Sequence, residues 1–136
     1  MADKTFKLEV ITPDRVVASD SEITSVVAPG ALGYLGVLGN HAPLMTELSI
    51  GHLDLKRSDG SIDELAVSGG FMEVFENTVT VLAETAELKS EIDIERAEQA
   101  VKRAEERLAN RPPDVDIDRA QASLQRAINR LNVARR

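Results

Sequence analysis

Apolar and polar residues alternate along the first two thirds of the chain, in short runs that are separated by turn residues. Residues 6–10 and 78–81 show this alternation clearly, and a period of two is typical of strands with one buried face. Asp59 and Gly60 lie between two such runs, and glycine tolerates the positive φ that a tight hairpin turn needs. Many short strands with frequent turns favour an antiparallel β sandwich or flattened barrel, which we predict for residues 1–88.

The hydrophobic period changes to three or four residues in the last third of the chain, where Pro112 and Pro113 separate two helical stripes. The stripes are mainly aliphatic: Ile94, Ala97, Val101, Ala104 and Leu108, then Ile117, Ala120, Leu124, Ala127, Ile128, Leu131 and Ala134. Proline ends a helix, and a short turn between two helices favours antiparallel packing. We therefore predict an α+β protein in which a helical hairpin at 89–136 follows the sandwich at 1–88.

The length and residue content limit the classes of protein to consider. The chain has 136 residues, enough for one cored domain with an appendage, and no cysteine, which excludes disulfides and thiolate metal sites. Its first residues lack the basic and apolar regions of a secretory signal. No run of about 18 apolar residues exists, so we expect any link to a membrane to go through a partner.

Charge is distributed unevenly along the chain, although the net charge is −7. Residues 1–90 carry 14 acidic and 6 basic residues, whereas residues 119–136 carry five arginines and no acidic residue. An acidic body argues against general nucleic-acid binding. A basic terminal helix indicates an anionic partner.

No group of residues indicates catalysis. Residues 30–44 are rich in glycine, but no Lys-Ser/Thr pair and no helix start follow, so tight turns at a sandwich edge are favoured over a phosphate loop. His41 and His52 are the only histidines, and they lack the spacing of a zinc site. Ser68 lacks the flanking pattern of a nucleophile. We therefore expect a non-catalytic protein without a metal site.

Arginines are paired along the predicted helices in a way that leaves two interpretations open. Arg103 and Arg107, and likewise Arg126 and Arg130, are like-charge neighbours at i,i+4, which costs a few tenths of a kcal/mol unless an anion intervenes. An antiparallel hairpin could gather Arg96, Arg103, Arg126 and Arg130 around one anion. The alternative is a solvated charged face.

One phrase, Asp-x-x-Arg-Ala, opens both predicted helices, at residues 93–97 and 116–120. An acidic residue at a helix start stabilises the positive end of the helix dipole. The second copy therefore shows that the phrase can serve simply as a good helix start.

Two longer motifs resemble one known family. Residues 35–44 read Leu-Gly-Val-Leu-Gly-Asn-His-Ala-Pro-Leu, and residues 66–74 read Ala-Val-Ser-Gly-Gly-Phe-Met-Glu-Val. Together with the order of sandwich and hairpin, they resemble the epsilon subunits of F-type ATP synthase over essentially the whole chain. The resemblance implies a sandwich of about ten strands followed by two helices, in a non-catalytic subunit of the rotating central stalk.

The resemblance also implies partners for the sandwich: the gamma subunit and the membrane c-ring. The residues implied in contact with the c-ring and the stalk foot form one turn: Asn40, His41, Ala42, Pro43 and Leu44. The chain departs from the family at Gly39-Asn40, where Pro-Gly is frequent, and at Tyr34, where Glu is frequent. An acidic contact to the ring at residue 34 is therefore not expected.

Some members of this family bind ATP in the hairpin and carry Ile/Leu-Asp-x-x-Arg-Ala, which residues 92–97 match. The ATP-binding residues that this match implies are Glu87, Ile92, Asp93, Arg96, Ala97, Arg103, Arg126 and Arg130. Glu87 falls where such members place an acid near adenine, and the last three arginines fall around the ribose and phosphates. ATP would then be a regulatory ligand; no cofactor is implied, and a role for magnesium stays open.

The resemblance thus predicts a rotor component that couples c-ring rotation to the catalytic head. Its hairpin would inhibit ATP hydrolysis as a movable arm, folded back with ATP and extended toward the alpha and beta subunits without it. The expected location is peripheral, on the cytoplasmic face of the bacterial cell membrane as part of F1, or on the stromal side of a plastid thylakoid.

Two rival functions remain at this stage. One is a purely structural stalk coupler, whose hairpin neither binds ATP nor inhibits hydrolysis. The other is a hydrolase or lyase on a small β sandwich, which a turnover assay on the isolated chain would reveal.

Overall fold

Seven strands and two helices build the chain, and the computed structural model describes residues 4–136. The strands are β1 (Phe6–Ile11), β2 (Val16–Gly30), β3 (Gly33–Leu38), β4 (Leu44–Glu47), β5 (Gly51–Arg57), β6 (Ile62–Phe75) and β7 (Thr78–Leu88). A short 3₁₀ turn (Lys89–Glu91), α1 (Ile94–Asn110) and α2 (Ile117–Ala134) follow them. The chain divides between Leu88 and Lys89 into two units, one of strands and one of helices.

Five of the strands close into a ring. Going round it, β1 pairs with β7, β7 with β6, β6 with β5, β5 with β2, and β2 with β1 again. The β1–β7 pair is parallel, whereas the other pairs of the ring are antiparallel. Closure leaves β1 and the first half of β7 without a free edge, which removes a common site of aggregation.

The pairings also fall into two layers, because three strands are long enough to take part in both. The second half of β2 pairs with β3 and β5, and its first half pairs with β1. The first half of β6 pairs with β5, whereas its second half pairs with β4. Counting β2, β6 and β7 once in each layer gives five strand segments per layer. The predicted sandwich of about ten strands is therefore confirmed as ten segments on seven continuous strands.

Gly69 and Gly70 mark the point where β6 passes from one layer to the other. Both have positive φ, +65° and +105°. A Cβ atom on Gly70 would lie 2.0 Å from the carbonyl oxygen of Leu82 on β7. Only glycine fits such a close backbone approach without moving the neighbouring strand.

The core lies between the two layers and is mostly aliphatic. Its buried members are Phe6, Leu8, Val10, Ile23, Val26, Ala28, Val37, Leu48, Leu53, Leu55, Leu65, Val67, Met72, Val74, Val79, Val81 and Ala83. Phe6 is the single aromatic residue in this cluster. The alternation along β1 and the first half of β7 therefore predicted the inward residues correctly.

The glycine-rich segment differs from its sequence-based prediction. Tight turns were expected at 30–44, but residues 33–38 form β3 against β2, and β4 begins at Leu44. Glycine weakens the alternation by which strands are recognised, since it has no side chain to place on either face. Residues 33–38 are therefore held as a strand by backbone hydrogen bonds to β2 rather than by a local sequence pattern.

An ion-pair cluster ties β2 to the end of β5 and the start of β6. The Arg57 guanidinium donates to Asp20 and to Asp63, with both nitrogen–oxygen distances at 2.6 Å. A hydrogen bond from the Glu22 backbone N–H and the bond from Arg57 lower the pKa of Asp20 below its usual value. The bonds to Asp63 and Asp20 raise the pKa of Arg57 further above its usual range, so the guanidinium stays charged.

The two helices form an antiparallel hairpin. Asp93 caps α1 and Asp116 caps α2, since each carboxylate accepts the backbone N–H three residues on at 3.1 Å. At the open end, Glu98 on α1 pairs with Arg135 after α2, with 2.9 Å between Oε1 and Nη2. The helical period and the proline break thus predicted this hairpin correctly.

Candidate functional site

The arginines of α1 lie along one flank of the helix. Ala97 and Ala104 are buried and mark the direction that faces α2. Each residue of an α-helix advances the direction by about 100°, which places Arg96, Arg103 and Arg107 about 80–120° to one side of the buried direction. All three arginines are exposed.

The arginines of α2 have the same offset. Relative to the buried Ala120 and Ala127, the side chains of Arg119, Arg126 and Arg130 lie about 80–120° away in the same rotational sense. In an antiparallel pair, flanks with the same rotational sense lie on the same side of the hairpin. The six side chains therefore share one side, which we call the arginine side.

The levels of these side chains along the hairpin follow from the ion pair between Glu98 and Arg135. Arg103 is five residues after Glu98, and Arg130 is five residues before Arg135, so both lie about 7.5 Å further toward the turn. Arg103 and Arg130 are therefore at the same level on the same side. Arg126 lies about one helical turn closer to the loop that joins α1 and α2. Of the four arginines predicted to gather around one anion, Arg103, Arg126 and Arg130 are thus close in level, whereas Arg96 lies about 10 Å nearer the open end than Arg103. Binding of an anion there stays a prediction.

Part of the positive charge on the arginine side is not offset by carboxylates of the hairpin. Arg126 donates from Nη2 to the Ser123 hydroxyl at 3.2 Å, a neutral partner. Within residues 4–136 the side chains of Arg96, Arg103 and Arg107 make no ion pair with a carboxylate. Like charges at this spacing repel each other, so an anion bound here would be stabilised.

Three further residues of the implied ATP site have structural roles in the hairpin. Asp93 is the N-cap of α1, and Ile92 and Ala97 are buried. Glu87 belongs to the other unit, near the end of β7, where it pairs with Ala66 of β6. Its side chain is half-buried. The binding of ATP by these residues stays a prediction from the sequence.

The turn predicted to contact the c-ring connects β3 to β4. Asn40 has a φ of 61°, and its backbone N–H donates to the side-chain oxygen of Asn77 at 2.8 Å. The His41 ring nitrogen Nδ1 lies 2.6 Å from the Ala42 carbonyl oxygen, so this imidazole bonds within its own turn. Asn40, Ala42 and Pro43 are exposed. Such a turn offers a shaped, nearly uncharged surface rather than a catalytic group.

An exposed apolar row crosses the outer face of the layer that contains β1. Phe71 on β6 is opposite Leu82 on β7, Leu82 is opposite Ile11 on β1, and Ile11 is opposite Val16 on β2. Cross-strand neighbours of this kind have Cβ atoms about 5 Å apart, so the four side chains form one continuous surface. Phe71, Leu82 and Val16 are each more than half exposed, at 53%, 53% and 57%.

The same face extends toward the c-ring turn and has an acidic border. Met45 and Phe75 are exposed at 66% and 53%, and both lie beside an open groove of about 470 Å³. Glu47 is opposite Phe71, and Glu73 is opposite Met45. The whole surface, which we call the apolar face, therefore suits a partner with aliphatic side chains and basic flanks. Sequence reasoning missed it, although Leu82 breaks the alternation of β7 and was a possible signal.

A further polar contact lies on the opposite layer and contains both an aromatic and an imidazole ring. Tyr34 and His52 stack with their centroids 4.4 Å apart, and the His52 backbone N–H donates to the Tyr34 hydroxyl at 3.1 Å. His52 Nδ1 lies 3.2 Å from Asp54. Across residues 4–136 no group of three or more histidine or acidic side chains is arranged to hold a metal ion. No helix there is long and apolar enough to cross a bilayer.

Comparison with protein-family models matches both units. Residues 5–89 match the β-sandwich domain of the ATP synthase delta/epsilon chain, and residues 90–135 match its long α-helix domain. The chain is 51% identical to the ATP synthase epsilon chain of Moorella thermoacetica over 130 residues, 96% of either chain. It is 49% identical to that of Desulforamulus reducens over 131 residues, 96% of this chain and 98% of the relative.

Among solved structures, the fold is similar to a chain in the cryo-EM structure of the Euglena gracilis mitochondrial ATP synthase, described as OSCP/F1/c-ring. The TM-score is 0.83 at 21% identity, and the match covers all of this chain and 84% of that one. A chain from the Tetrahymena thermophila mitochondrial ATP synthase, described as central stalk/c-ring, gives a TM-score of 0.56 at 15% identity. That match covers 67% of this chain and 72% of that one. Matches to both domain models and to relatives at about half identity show that the chain belongs to the family of ATP synthase epsilon subunits.

Proposed function

We propose that the chain is a non-catalytic subunit of the ATP synthase central stalk, which couples rotation of the c-ring to the catalytic head. The family match along both units carries this proposal. Two surfaces of the sandwich support it, because a rotor component needs one contact to the shaft and one to the ring. The subunit would then lie at the membrane only through the complex, on the cytoplasmic side in bacteria or the stromal side in plastids.

The apolar face is the proposed contact to the gamma subunit. A partner docked there would remove its row of exposed apolar side chains from water, and the acidic border favours a basic partner. A Leu82→Asp substitution places a charge in the middle of the row, where docking would bury it without a partner. We expect at least tenfold weaker binding to gamma in a pull-down or by surface plasmon resonance.

Ile62→Asp is the matched control for this experiment, because Ile62 is 58% exposed but lies on the outer face of the other layer. It should bind gamma as the wild type does. If Leu82→Asp binds normally, or if both variants lose binding equally, the assignment of the apolar face to gamma is wrong.

The β3–β4 turn, from Asn40 to Leu44, is the proposed contact to the c-ring. It is exposed at Asn40, Ala42 and Pro43, and it lies beside the groove at the end of the apolar face. One continuous surface would then meet the shaft and the ring together. Tyr34 is on the other layer, stacked on His52, so the ring contact would use the turn rather than residue 34.

The arginine side of the hairpin is the proposed ATP site. Arg103, Arg126 and Arg130 lie close in level on one side, and a triphosphate would neutralise their repulsion. Isothermal titration calorimetry of the full chain with ATP, with and without magnesium, tests this directly. We expect binding by the wild type and at least tenfold weaker binding by Arg126→Ala, since a charged hydrogen bond contributes about 1.5–3 kcal/mol.

Arg135→Ala is the control for the ATP measurement, because it removes the same charge from the opposite side of the hairpin, where Arg135 pairs with Glu98. It should bind ATP nearly as the wild type does. Absence of heat at millimolar ATP for the wild type would remove the sensor role and leave the stalk role in place. Glu87→Gln tests the predicted acid near adenine in the same assay.

Regulation follows if the hairpin changes position with ATP. The helices have 17 and 18 residues, so at about 1.5 Å per residue they span about 26 and 27 Å, or more than 50 Å in line. An arm of this length would reach from the stalk foot toward the alpha and beta subunits and oppose rotation in the hydrolysis direction. ATP at 100 times its dissociation constant would favour the folded arm by about 2.7 kcal/mol.

A structural coupler without ATP binding is the second candidate, and the caps of the hairpin favour it. Asp93 and Asp116 cap their helices in the same way, so the motif is explained by helix initiation alone. Deletion of residues 91–136 from the assembled complex distinguishes the two functions. An inhibitory arm predicts faster ATP hydrolysis after the deletion, whereas a coupler predicts an unchanged rate.

A further inference from the structure

Asn77 joins three segments of the sandwich that are far apart in sequence. Its side-chain oxygen accepts the Asn40 backbone N–H at 2.8 Å, and its side-chain nitrogen donates to the Thr5 carbonyl oxygen at 2.9 Å. Its own backbone carbonyl accepts the Lys7 N–H at 3.3 Å. One residue in the β6–β7 turn is therefore bonded to the β3–β4 turn and to the start of β1.

The bond to Asn40 holds a turn that has few other restraints. Asn40 has a φ of 61°, a left-handed conformation that is unfavourable for most residues, and its N–H has no strand partner. The preceding residue, Gly39, lies so close to Lys4 that an added Cβ would be 2.8 Å from the Lys4 Cβ. The β3–β4 turn is thus pressed against the segment that Asn77 also holds.

From this geometry we infer that Asn77 is a positioning residue for docking, one that orders the turn from Asn40 to Leu44 before the turn meets its partner. The inference rests on the proposed c-ring contact of that turn. Asn77 does not touch the partner in this scheme; it acts through Asn40. Ordering the turn in advance reduces the conformational entropy lost on docking, so the effect appears in affinity.

The experiment compares three variants of the full chain. Asn77→Gly removes both side-chain bonds and fits the left-handed φ of 57° without strain, so it should fold. Asn77→Asp keeps an acceptor for the Asn40 N–H but loses the donor to Thr5. Glu76→Gly is the control, because Glu76 is in the same turn at a φ of 49° and makes no hydrogen bond to the β3–β4 turn.

The first readout is hydrogen exchange of the Asn40 backbone amide, measured by NMR. We expect about tenfold faster exchange in Asn77→Gly, near wild-type protection in Asn77→Asp, and no change in Glu76→Gly. A merely structural role would instead accelerate exchange throughout the core strands. Unchanged Asn40 exchange in Asn77→Gly would overturn the inference.

The second readout is binding of each variant to a purified c-ring carrying gamma, at one fixed salt concentration. We expect about threefold to tenfold weaker binding by Asn77→Gly and rescue by Asn77→Asp. Normal binding together with fast Asn40 exchange would overturn the docking role of Asn77. A Pro43→Asp variant alters the surface of the turn itself and tests the c-ring contact separately. If Pro43→Asp also binds normally, the proposed c-ring contact is wrong. If only Asn77→Gly binds normally, the c-ring contact stands and the docking role of Asn77 is wrong.

Discussion

Gly70 shows how a single backbone position controls the course of a strand. Its φ of +105° and the approach of the Leu82 carbonyl let β6 pass between the layers while it stays paired with β7. The sequence around Gly70 belongs to one of the two family motifs. The structure gives the physical reason for a glycine at this position, which is the close approach of β7.

Gly70→Ala should lower the free energy of unfolding of the sandwich by about 3 kcal/mol or more, because the added Cβ meets the Leu82 oxygen and the φ is strained. Urea denaturation followed by circular dichroism measures the change. Gly60→Ala is the control: Gly60 has a φ of +88°, but an added Cβ would meet nothing within 4 Å. That variant should lose only about 1–2 kcal/mol. Equal losses in the two variants would contradict the role of the β6–β7 contact.

Residue exposure was the part of the site that the sequence could not provide. Alternation along β7 places Val79 and Val81 inward, and both are buried. Leu82 follows the same chemistry but faces outward, because its position in the pleat is fixed by pairing with Phe71 and Ile11. A hydrophobic residue on an outward position becomes informative only when its cross-strand neighbours are known.

At the scale of elements, the two helices of the hairpin begin in the same way, although only the N-cap of α1 belongs to the proposed ATP site. Their N-caps have nearly equal geometry, with φ and ψ of −83° and 99° at Asp93 and −86° and 104° at Asp116. Local sequence was sufficient to predict both helices, since caps, alanine content and proline all act within a few residues. The shared arginine side could not be fixed in the same way, because it depends on the antiparallel packing of the two helices.

Asp93→Ala and Asp116→Ala should each lower the stability of the hairpin by about 1 kcal/mol, since each removes one capping hydrogen bond. Hydrogen exchange of the α1 and α2 amides measures this. Asp93→Asn keeps the capping oxygen, so it should retain helix stability. If Asn at 93 also retains ATP binding by calorimetry, Asp93 serves the ATP site only as a cap; a large loss of binding would instead show direct contact with the nucleotide.

For the whole molecule, the Arg57 cluster makes stability depend on pH. The pKa of Asp20 is lowered in the folded state, so its ionised form stabilises the fold above the unfolded pKa of about 3.9. This contribution is lost as the pH falls through the lowered pKa of the folded state. Denaturation of wild type and Asp20→Asn should therefore differ most near neutral pH, and the difference should close below about pH 4.

Asp14→Asn is the control for the acid experiment, because it changes the net charge equally at an exposed position. It should follow the wild-type curve closely. A gap between wild type and Asp20→Asn that stays constant down to pH 2 would show that the side chain acts by packing rather than by its charge.

The parallel pairing of β1 with β7 has a consequence for synthesis on the ribosome. Lys7 is opposite Thr78, so β1 can pair with its second neighbouring strand only after the ribosome has synthesised β7. Contacts of such long sequence separation slow folding, and a nascent chain that stops short of β7 exposes an unpaired strand edge. Premature termination before β7 would therefore yield fragments that aggregate rather than a shorter folded sandwich.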